Sequence, residues 1–279
     1  MGRQTARYAV IGDPIGHSRS PAIHARFAEQ TGQQLSYEAI RVPAGTLAVA
    51  VAGVAAAGGC GVNVTVPLKE EAFRFAGSRT ERAERAGAVN TLVLDGPGAP
   101  LGDNTDGVGL VRDLKINLGV ELAGRSLLVL GAGGAVRGIL GPLLAERPLR
   151  LVIANRTARK AVDLALEFND LGPVSGGGFE ALADSRFDVV INGTAASLQG
   201  AALPLPETLI IDGGFAYDLV YASEPTPFLD WAGSHGIAGS ADGLGMLVEQ
   251  AAESFTLWRG VRPQTGPVIE ALRAENTGS

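Results

Sequence analysis

Apolar positions along this chain follow two periods that alternate from end to end. Tyr8-Ala9-Val10-Ile11 is a continuous apolar run, as in a strand buried on both faces. The irregular loop Gly12-Asp13-Pro14-Ile15-Gly16-His17-Ser18-Arg19 follows it. A helix is predicted next, with Ser20 as N-cap, Pro21 at the first helical position, and Ile23 and Phe27 on its buried face. Residues 35–42 alternate as a second strand, and residues 46–57 read as helix. Val62, Val64 and Val66 share one face of a third strand, which places Asn63 and Thr65 on the other. Residues 89–94 are strand-like and residues 102–107 form a polar loop. Val108, Val111, Leu114 and Leu118 then recur at helical spacing, a helix read as the bridge between two domains.

From Arg125 onward the alternation is regular. Residues 126–130, 149–154, 188–192 and 209–212 are predicted strands with helical segments between them, which implies a parallel sheet covered on both faces. Leu244, Leu247, Val248, Ala251, Phe255 and Trp258 keep the register of one last long helix. Gly176-Gly177-Gly178 reads as a turn and residues 275–279 as a frayed tail.

Composition narrows the partners. With 279 residues, 46% apolar and 19% charged, the chain suits a globular protein of two domains. A net charge of −6 argues against nucleic acid, since binding a phosphate backbone needs a basic surface. The single Cys60, read as a packed thiol, excludes an internal disulfide and any multi-cysteine metal site. His17, His24 and His235 form no ligand set, so no metal is expected. Residues 1–5 lack an apolar signal core and no stretch is long enough to span a bilayer, so the expected location is the cytoplasm, with no membrane partner.

The chemistry begins at the run Leu127-Leu128-Val129-Leu130 and the glycine turn Gly131-Ala132-Gly133-Gly134-Ala135. A strand feeding a glycine turn that opens a helix lets backbone N–H groups approach a pyrophosphate closely. Val136 stands where the dinucleotide fingerprint places its third Gly or Ala. At the end of the next strand stands Asn155-Arg156-Thr157 rather than the Asp or Glu that holds a ribose 2′-OH. A guanidinium pairs with a 2′-phosphate that a carboxylate would repel, so the expected cofactor is NADP. Arg159 and Lys160 lie one helical turn further on, at least one of them as a solvated helix-face residue.

Asn63-Val64-Thr65-Val66-Pro67-Leu68-Lys69 ends a strand with polar groups on one face and a lysine just beyond. Taken singly, each candidate has an ordinary explanation: Lys69 as a solvated lysine, Asp106 and Ser20 as helix caps, Asn90 as a strand-edge partner. Together with Gly87-Ala88-Val89-Asn90-Thr91, Asn104-Thr105-Asp106-Gly107, Thr226-Pro227-Phe228-Leu229 and Asp242-Gly243-Leu244-Gly245-Met246-Leu247, they stand in the order of a known pattern. The chain resembles the shikimate dehydrogenase family over nearly its whole length.

That resemblance implies an α/β fold of two domains: an N-terminal substrate-binding domain, residues 1–106 with 242–279, and a Rossmann-type, doubly wound NADP domain, residues 107–241. It implies a reaction interconverting 3-dehydroshikimate and shikimate in a monomer or homodimer. Lys69 and Asp106 would be the catalytic pair. Ser18 and Ser20 would bind the substrate carboxylate, and Thr65, Asn90, Tyr217 and Gln250 its ring hydroxyls, with Lys69 and Asp106. Gly131, Ala132, Gly133, Gly134, Ala135, Asn155, Arg156, Thr157, Lys160, Thr194, Gly243 and Met246 would hold the cofactor. Two departures stand out: Asn192-Gly193-Thr194-Ala195 where the family often reads Asn-Ala-Thr-Ser, and Asp242 where Asn is common. The rival readings are a quinate/shikimate dehydrogenase using NAD, disfavoured by Ser20 and Arg156, and a non-catalytic NADP-binding redox sensor, which would not need both Lys69 and Asp106.

Overall fold

The alternating runs become two six-stranded sheets. A computed structural model describes residues 5–96, 98–197, 200–235, 237 and 239–277. The first half supplies β1 (Ala6–Gly12), α1 (Ser20–Thr31), β2 (Leu35–Arg41), α2 (Leu47–Ala56), β3 (Gly59–Val64), α3 (Lys69–Phe75), β4 (Ser78–Arg79), α4 (Glu81–Ala86), β5 (Thr91–Val93), β6 (Leu101–Asp103) and α5 (Asp106–Arg112). The second supplies β7 (Ser126–Leu130), α6 (Gly134–Ala145), β8 (Arg150–Ala154), α7 (Ala158–Phe168), β9 (Val174–Gly177), β10 (Phe187–Asn192), β11 (Ile210–Asp218), α8 (Pro227–Ser234), β12 (Gly239–Ala241), α9 (Leu244–Arg259) and α10 (Gly266–Thr277). Two compact units result, Met1–Gly109 with Val248–Ala274 and Leu110–Leu247 with Glu275–Ser279. The divisions fall inside α5, between Gly109 and Leu110, and inside α9, between Leu247 and Val248.

The first unit holds a mixed sheet in the order β2-β1-β3-β5-β6-β4. β1 runs parallel to β2 and β3, whereas β5 is antiparallel to β3 and β6. Ile11, Val62, Val64 and Leu92 pack with Leu47, Val51, Leu68 and Ala72 in one core. Aromatic contacts tie α9 to the rest of the unit: Trp258 stacks on Tyr8 with centroids 4.6 Å apart, and Phe255 meets Phe27 edge-on at 5.7 Å.

Several local expectations are corrected here. Arg19, not Ser20, is the N-cap of α1 and makes no side-chain cap; Ser20 is already helical. β3 stops at Val64 and Val66 is 65% exposed, because Leu68 N–H bonds back to the Thr65 carbonyl in a turn. Of residues 89–94 only Thr91–Val93 are strand, since Val89 N–H goes to the Lys69 carbonyl. Gly102 and Asp103, placed in a loop, pair with β5 instead. Cys60 is half-buried in β3 rather than fully packed.

The second unit is an all-parallel sheet in the order β12-β11-β10-β7-β8-β9. Chain progression reverses between β7 and β10, the switch point at which open α/β sheets bind ligands. Leu127, Val129, Ile139, Leu143, Ile153 and Phe168 are buried in its core. The segment after α5 is π-helical over Asp113–Asn117; of the expected stripe, Val111 and Leu114 are buried and Leu118 packs against the same core, while Leu110 is also fully buried and Val108 only half-buried. The glycine run expected as a turn contributes Gly176 and Gly177 to edge strand β9. β11 continues to Asp218 through an irregular register that takes in Gly213 at φ 75°. The last helix persists through Thr277 where fraying was expected; residues 278 and 279 lie outside the described residues.

Two departures from the usual glycine pattern compensate one another. Val136 is fully buried, and a Cβ on Gly193 would sit 2.5 Å from its Cγ2. The missing methyl at 193 makes the room that the valine uses. Gly193→Ala is expected to cost about 1–3 kcal/mol by overpacking, with most of the loss recovered in the Gly193→Ala/Val136→Ala protein. Urea midpoints of the four proteins check this, and additive losses would refute the coupling.

Candidate active site

Lys69 is the first residue of α3, where the helix dipole disfavours a cation, so helix stability does not explain it. Its Nζ donates to Asp106 Oδ2 at 2.6 Å, with side chains 28% and 11% exposed. Asp106 opens α5 but does not cap it: Asn104 Oδ1 accepts the Asp106 N–H at 3.1 Å, leaving the carboxylate for side chains. Asn90 Nδ2 donates to Asp106 Oδ1 at 2.8 Å and lies 3.4 Å from Gln250 Oε1. Asn90 Oδ1 accepts the Thr105 N–H at 2.9 Å. A backbone amide only donates, so the Asn90 side chain has one allowed orientation and its amide nitrogen faces Asp106.

The loop carrying Asp106 is anchored one step further back. Asp103, 1% exposed, takes Arg82 Nε at 2.7 Å, Thr80 Oγ1 at 2.6 Å and the Asn104 N–H at 2.7 Å. Burial pushes the Asp103 carboxyl up, but the hydrogen bonds and charge of Arg82, with Thr80 and Asn104, hold it below its ordinary value. Arg82 also bonds Glu253 of α9 at 3.1 Å.

The two serines of the loop lie close together, with Ser20 N–H donating to Ser18 Oγ at 3.3 Å. Tyr37 donates to Asn63 Oδ1 at 2.7 Å, and Asn63 Nδ2 faces the Asn90 carbonyl at 3.2 Å and Ser254 Oγ at 3.0 Å. A continuous polar chain therefore runs from Tyr37 to Asn90 and Asp106. Thr65, half-buried, follows the end of β3. Tyr37, Asn63, Thr105 and Ser254 were not singled out as functional; for Asn63, the polar face of β3 was the available signal.

Tyr217 belongs to β11 and is fully buried; its hydroxyl donates to Asp113 Oδ2 at 2.6 Å and accepts the Met246 N–H at 3.3 Å. Tyr221, four residues on, is 36% exposed.

The glycine turn has the geometry that an anionic ligand needs. Gly131 adopts φ 106°, which favours glycine, and the space where Cβ atoms of Gly133 and Gly134 would stand is open. Gly133 precedes α6 with no side-chain cap, leaving the first N–H groups of that helix available; Ala132 and Ala135 flank it. Arg156 at the end of β8 is exposed and makes no ion pair among the described residues, while Arg159 is held by Asp163 at 2.7 Å. Asn155 Nδ2 bonds the Thr157 carbonyl at 3.1 Å, and Lys160 is exposed on α7. The donors and open backbone fit a phosphorylated dinucleotide. Thr194 and Gly243 lie in the loops after β10 and β12, with Gly243 N–H bonded to the Val220 carbonyl at 3.1 Å.

A six-stranded parallel sheet with this strand order and turn defines the doubly wound, dinucleotide-binding class. Family comparisons carry the assignment further. Residues 10–92 match the shikimate dehydrogenase substrate binding domain, 114–199 the shikimate / quinate 5-dehydrogenase model, and 243–273 the shikimate 5'-dehydrogenase C-terminal domain. The shikimate dehydrogenase (NADP(+)) of Methylococcus capsulatus is 61% identical over 272 residues, covering 98% of each chain. Among solved structures, an Ael1 enzyme from Pseudomonas putida superposes with a TM-score of 0.90 at 46% identity, covering 96% of this chain and 98% of that one. The shikimate 5-dehydrogenase of Thermus thermophilus, in complex with NADP(H) and shikimate, gives 0.85 at 37% identity, covering 97% and 99%. The chain belongs to the shikimate dehydrogenase family.

One buried group near the site titrates abnormally. His24 is 1% exposed, stacked on Tyr37 with centroids 4.2 Å apart, and neither ring nitrogen has a hydrogen-bond partner among the described residues. Burial lowers its pKa to about 3, opposed only by nearby Asn63. The unfolded chain takes up this proton near pH 6.5, so stability is full above that pH and falls progressively towards about 3, by about 1.4 kcal/mol per pH unit for one proton. His24→Phe is expected to flatten the stability profile between about pH 4 and 6.5. An unchanged slope in urea titrations would assign the acid sensitivity elsewhere.

Proposed function

We propose that this protein is an NADP-dependent shikimate dehydrogenase, interconverting 3-dehydroshikimate and shikimate, and that Lys69 and Asp106 are its catalytic pair. The observation that carries this reading is the 2.6 Å contact between Lys69 Nζ and Asp106 Oδ2 inside the Asn90–Gln250 cluster. Ketone reduction builds negative charge on the carbonyl oxygen; the Lys69 ammonium stabilises it and delivers the proton that makes the hydroxyl. In the reverse direction the lysine takes that proton back. Asp106, held by Asn90, keeps the ammonium in place and accepts a hydrogen bond from a substrate hydroxyl. Ser18 and Ser20 hold the carboxylate, and Thr65, Asn90 and Gln250 line the ring hydroxyls. NADP, when bound, supplies or accepts the hydride.

Cofactor choice follows from Arg156, supported by Asn155, Thr157 and Lys160 around the 2′-phosphate. The turn Gly131-Ala132-Gly133-Gly134-Ala135 takes the pyrophosphate, with Thr194, Gly243 and Met246 completing the site. The two-domain assignment of substrate and cofactor belongs to this reading, as do a cytoplasmic location and a monomeric or homodimeric state. Among the described residues no helix is long and apolar enough to cross a membrane.

Two kinetic experiments test it. Lys69→Ala is expected to lower kcat about 10²- to 10⁴-fold with a much smaller change in KM for shikimate; near-normal turnover at saturating shikimate and NADP+ would refute the catalytic assignment. Arg156→Ala is expected to raise the KM for NADP+ about 10- to 100-fold, the worth of one charged hydrogen bond. Its use of NAD+ should barely change. Equal losses with both cofactors would remove Arg156 from the 2′-phosphate site.

A further inference from the structure

Asp218, the last residue of β11, is fully buried, and no lysine, arginine or histidine of the described residues pairs with it. Its carboxylate is instead ringed by neutral donors. Asn192 Nδ2 at 3.1 Å, Ser197 Oγ at 2.6 Å and Thr226 Oγ1 at 2.7 Å converge on Oδ2, and the Val220 N–H reaches Oδ1 at 3.0 Å. A carboxylate at the end of a central parallel strand, satisfied by four groups from three segments, exceeds what the strand itself requires.

The direction of each bond is fixed. Asn192 Oδ1 accepts both the Thr194 N–H at 3.1 Å and the Thr194 hydroxyl at 2.8 Å. A backbone N–H only donates, so the Asn192 oxygen faces Thr194 and its NH2 must face Asp218. Thr194 Oγ1 then accepts the Ala196 N–H at 3.3 Å, which closes the loop after β10. On the other side Thr226 accepts the Leu229 N–H, so its own proton goes to Asp218. The Val220 residue held through its N–H by Asp218 gives its carbonyl to Gly243 N–H at 3.1 Å.

We propose that Asp218 is a positioning residue for the cofactor site, acting through Asn192 on Thr194 and through Val220 on Gly243. The inference rests on the cofactor reading given above. It extends that reading to a residue with no cofactor contact of its own. Replacing one carboxylate oxygen with NH2 leaves one arm of the relay without its acceptor: with the NH2 on the Oδ2 side the Asn192 amide loses its partner and its hold on Thr194 weakens, and with it on the Oδ1 side the Val220 N–H, and through that residue Gly243, is released. The effect falls on the loops after β10 and β12 and spares the 2′-phosphate site at Arg156.

The test is direct titration of NADP+ and of NAD+ without substrate, read by protein fluorescence, with hydrogen exchange of residues 193–197, 220 and 243 measured in parallel. Asp218→Asn is expected to weaken both cofactors about tenfold, leave their ratio unchanged and accelerate exchange of the Thr194 and Ala196 amides or of the Val220 and Gly243 amides. Asn192→Ser removes the relay while keeping the carboxylate. It should reproduce the cofactor defect, and it carries the test if Asp218→Asn does not fold. The double variant should be no worse than either single one. Wild-type affinity and exchange in a folded Asp218→Asn or Asn192→Ser protein would overturn the proposal, as would a changed NADP+/NAD+ ratio. If the unmodified protein bound no NADP+, the functional reading would fall, while the exchange data would still decide the relay.

Discussion

The side-chain amide of Asn90 is the constraint on which the first unit's chemistry depends. Its oxygen is committed to the Thr105 N–H, and the nitrogen must therefore face the Asp106 carboxylate at 2.8 Å. That single orientation holds Asp106 where it can keep a lysine whose own helix would favour another residue type. A group that both donates and accepts is needed, which neither a carboxylate nor an apolar isostere provides. The surrounding structure preserves this geometry by tying the Asp106 loop to β6 through Asp103 and to α9 through Arg82 and Glu253.

Much of this was legible in the chain. Continuous Val, Leu and Ile runs marked β1, β7 and β8, because strands covered on both faces have no polar side to show. The apolar stripe of α9 was equally plain. Short elements escaped: β4 has two residues and β12 three, too few to display a period. The stripe Val111, Leu114 and Leu118 was legible too, but the π-helical turn over Asp113–Asn117 left no mark in the apolar pattern.

The site shows the same division. Arg156 stood out because charge at the end of an apolar strand is conspicuous, whereas Lys69 and Asp106, each ordinary alone, were picked out only by their place in the family's order of motifs. The depth of Tyr217 was not legible, because the same tyrosine reads identically whether its hydroxyl meets ligand or a buried aspartate. Asn63 and Asp218 were invisible as partners, since their contacts come from residues distant in sequence. Gly193 and Val136 each looked like an anomaly alone. Only their proximity shows that one accommodates the other.

The sequence order of the two units constrains how the protein is made. The second unit is essentially one uninterrupted stretch, Leu110–Leu247, whereas the first needs both Met1–Gly109 and Val248–Ala274. Trp258 and Ser254, which cover Tyr8 and bond Asn63, are translated more than 150 residues after β3 is complete. During synthesis the first sheet must therefore wait on the ribosome with Tyr8, Phe27 and His24 uncovered, while the later-made second unit is the first able to close its core. Long-range closure of this kind slows folding and lengthens exposure of apolar surface. A translational pause or truncation near the C-terminus would thus leave the first unit, rather than the second, vulnerable to aggregation.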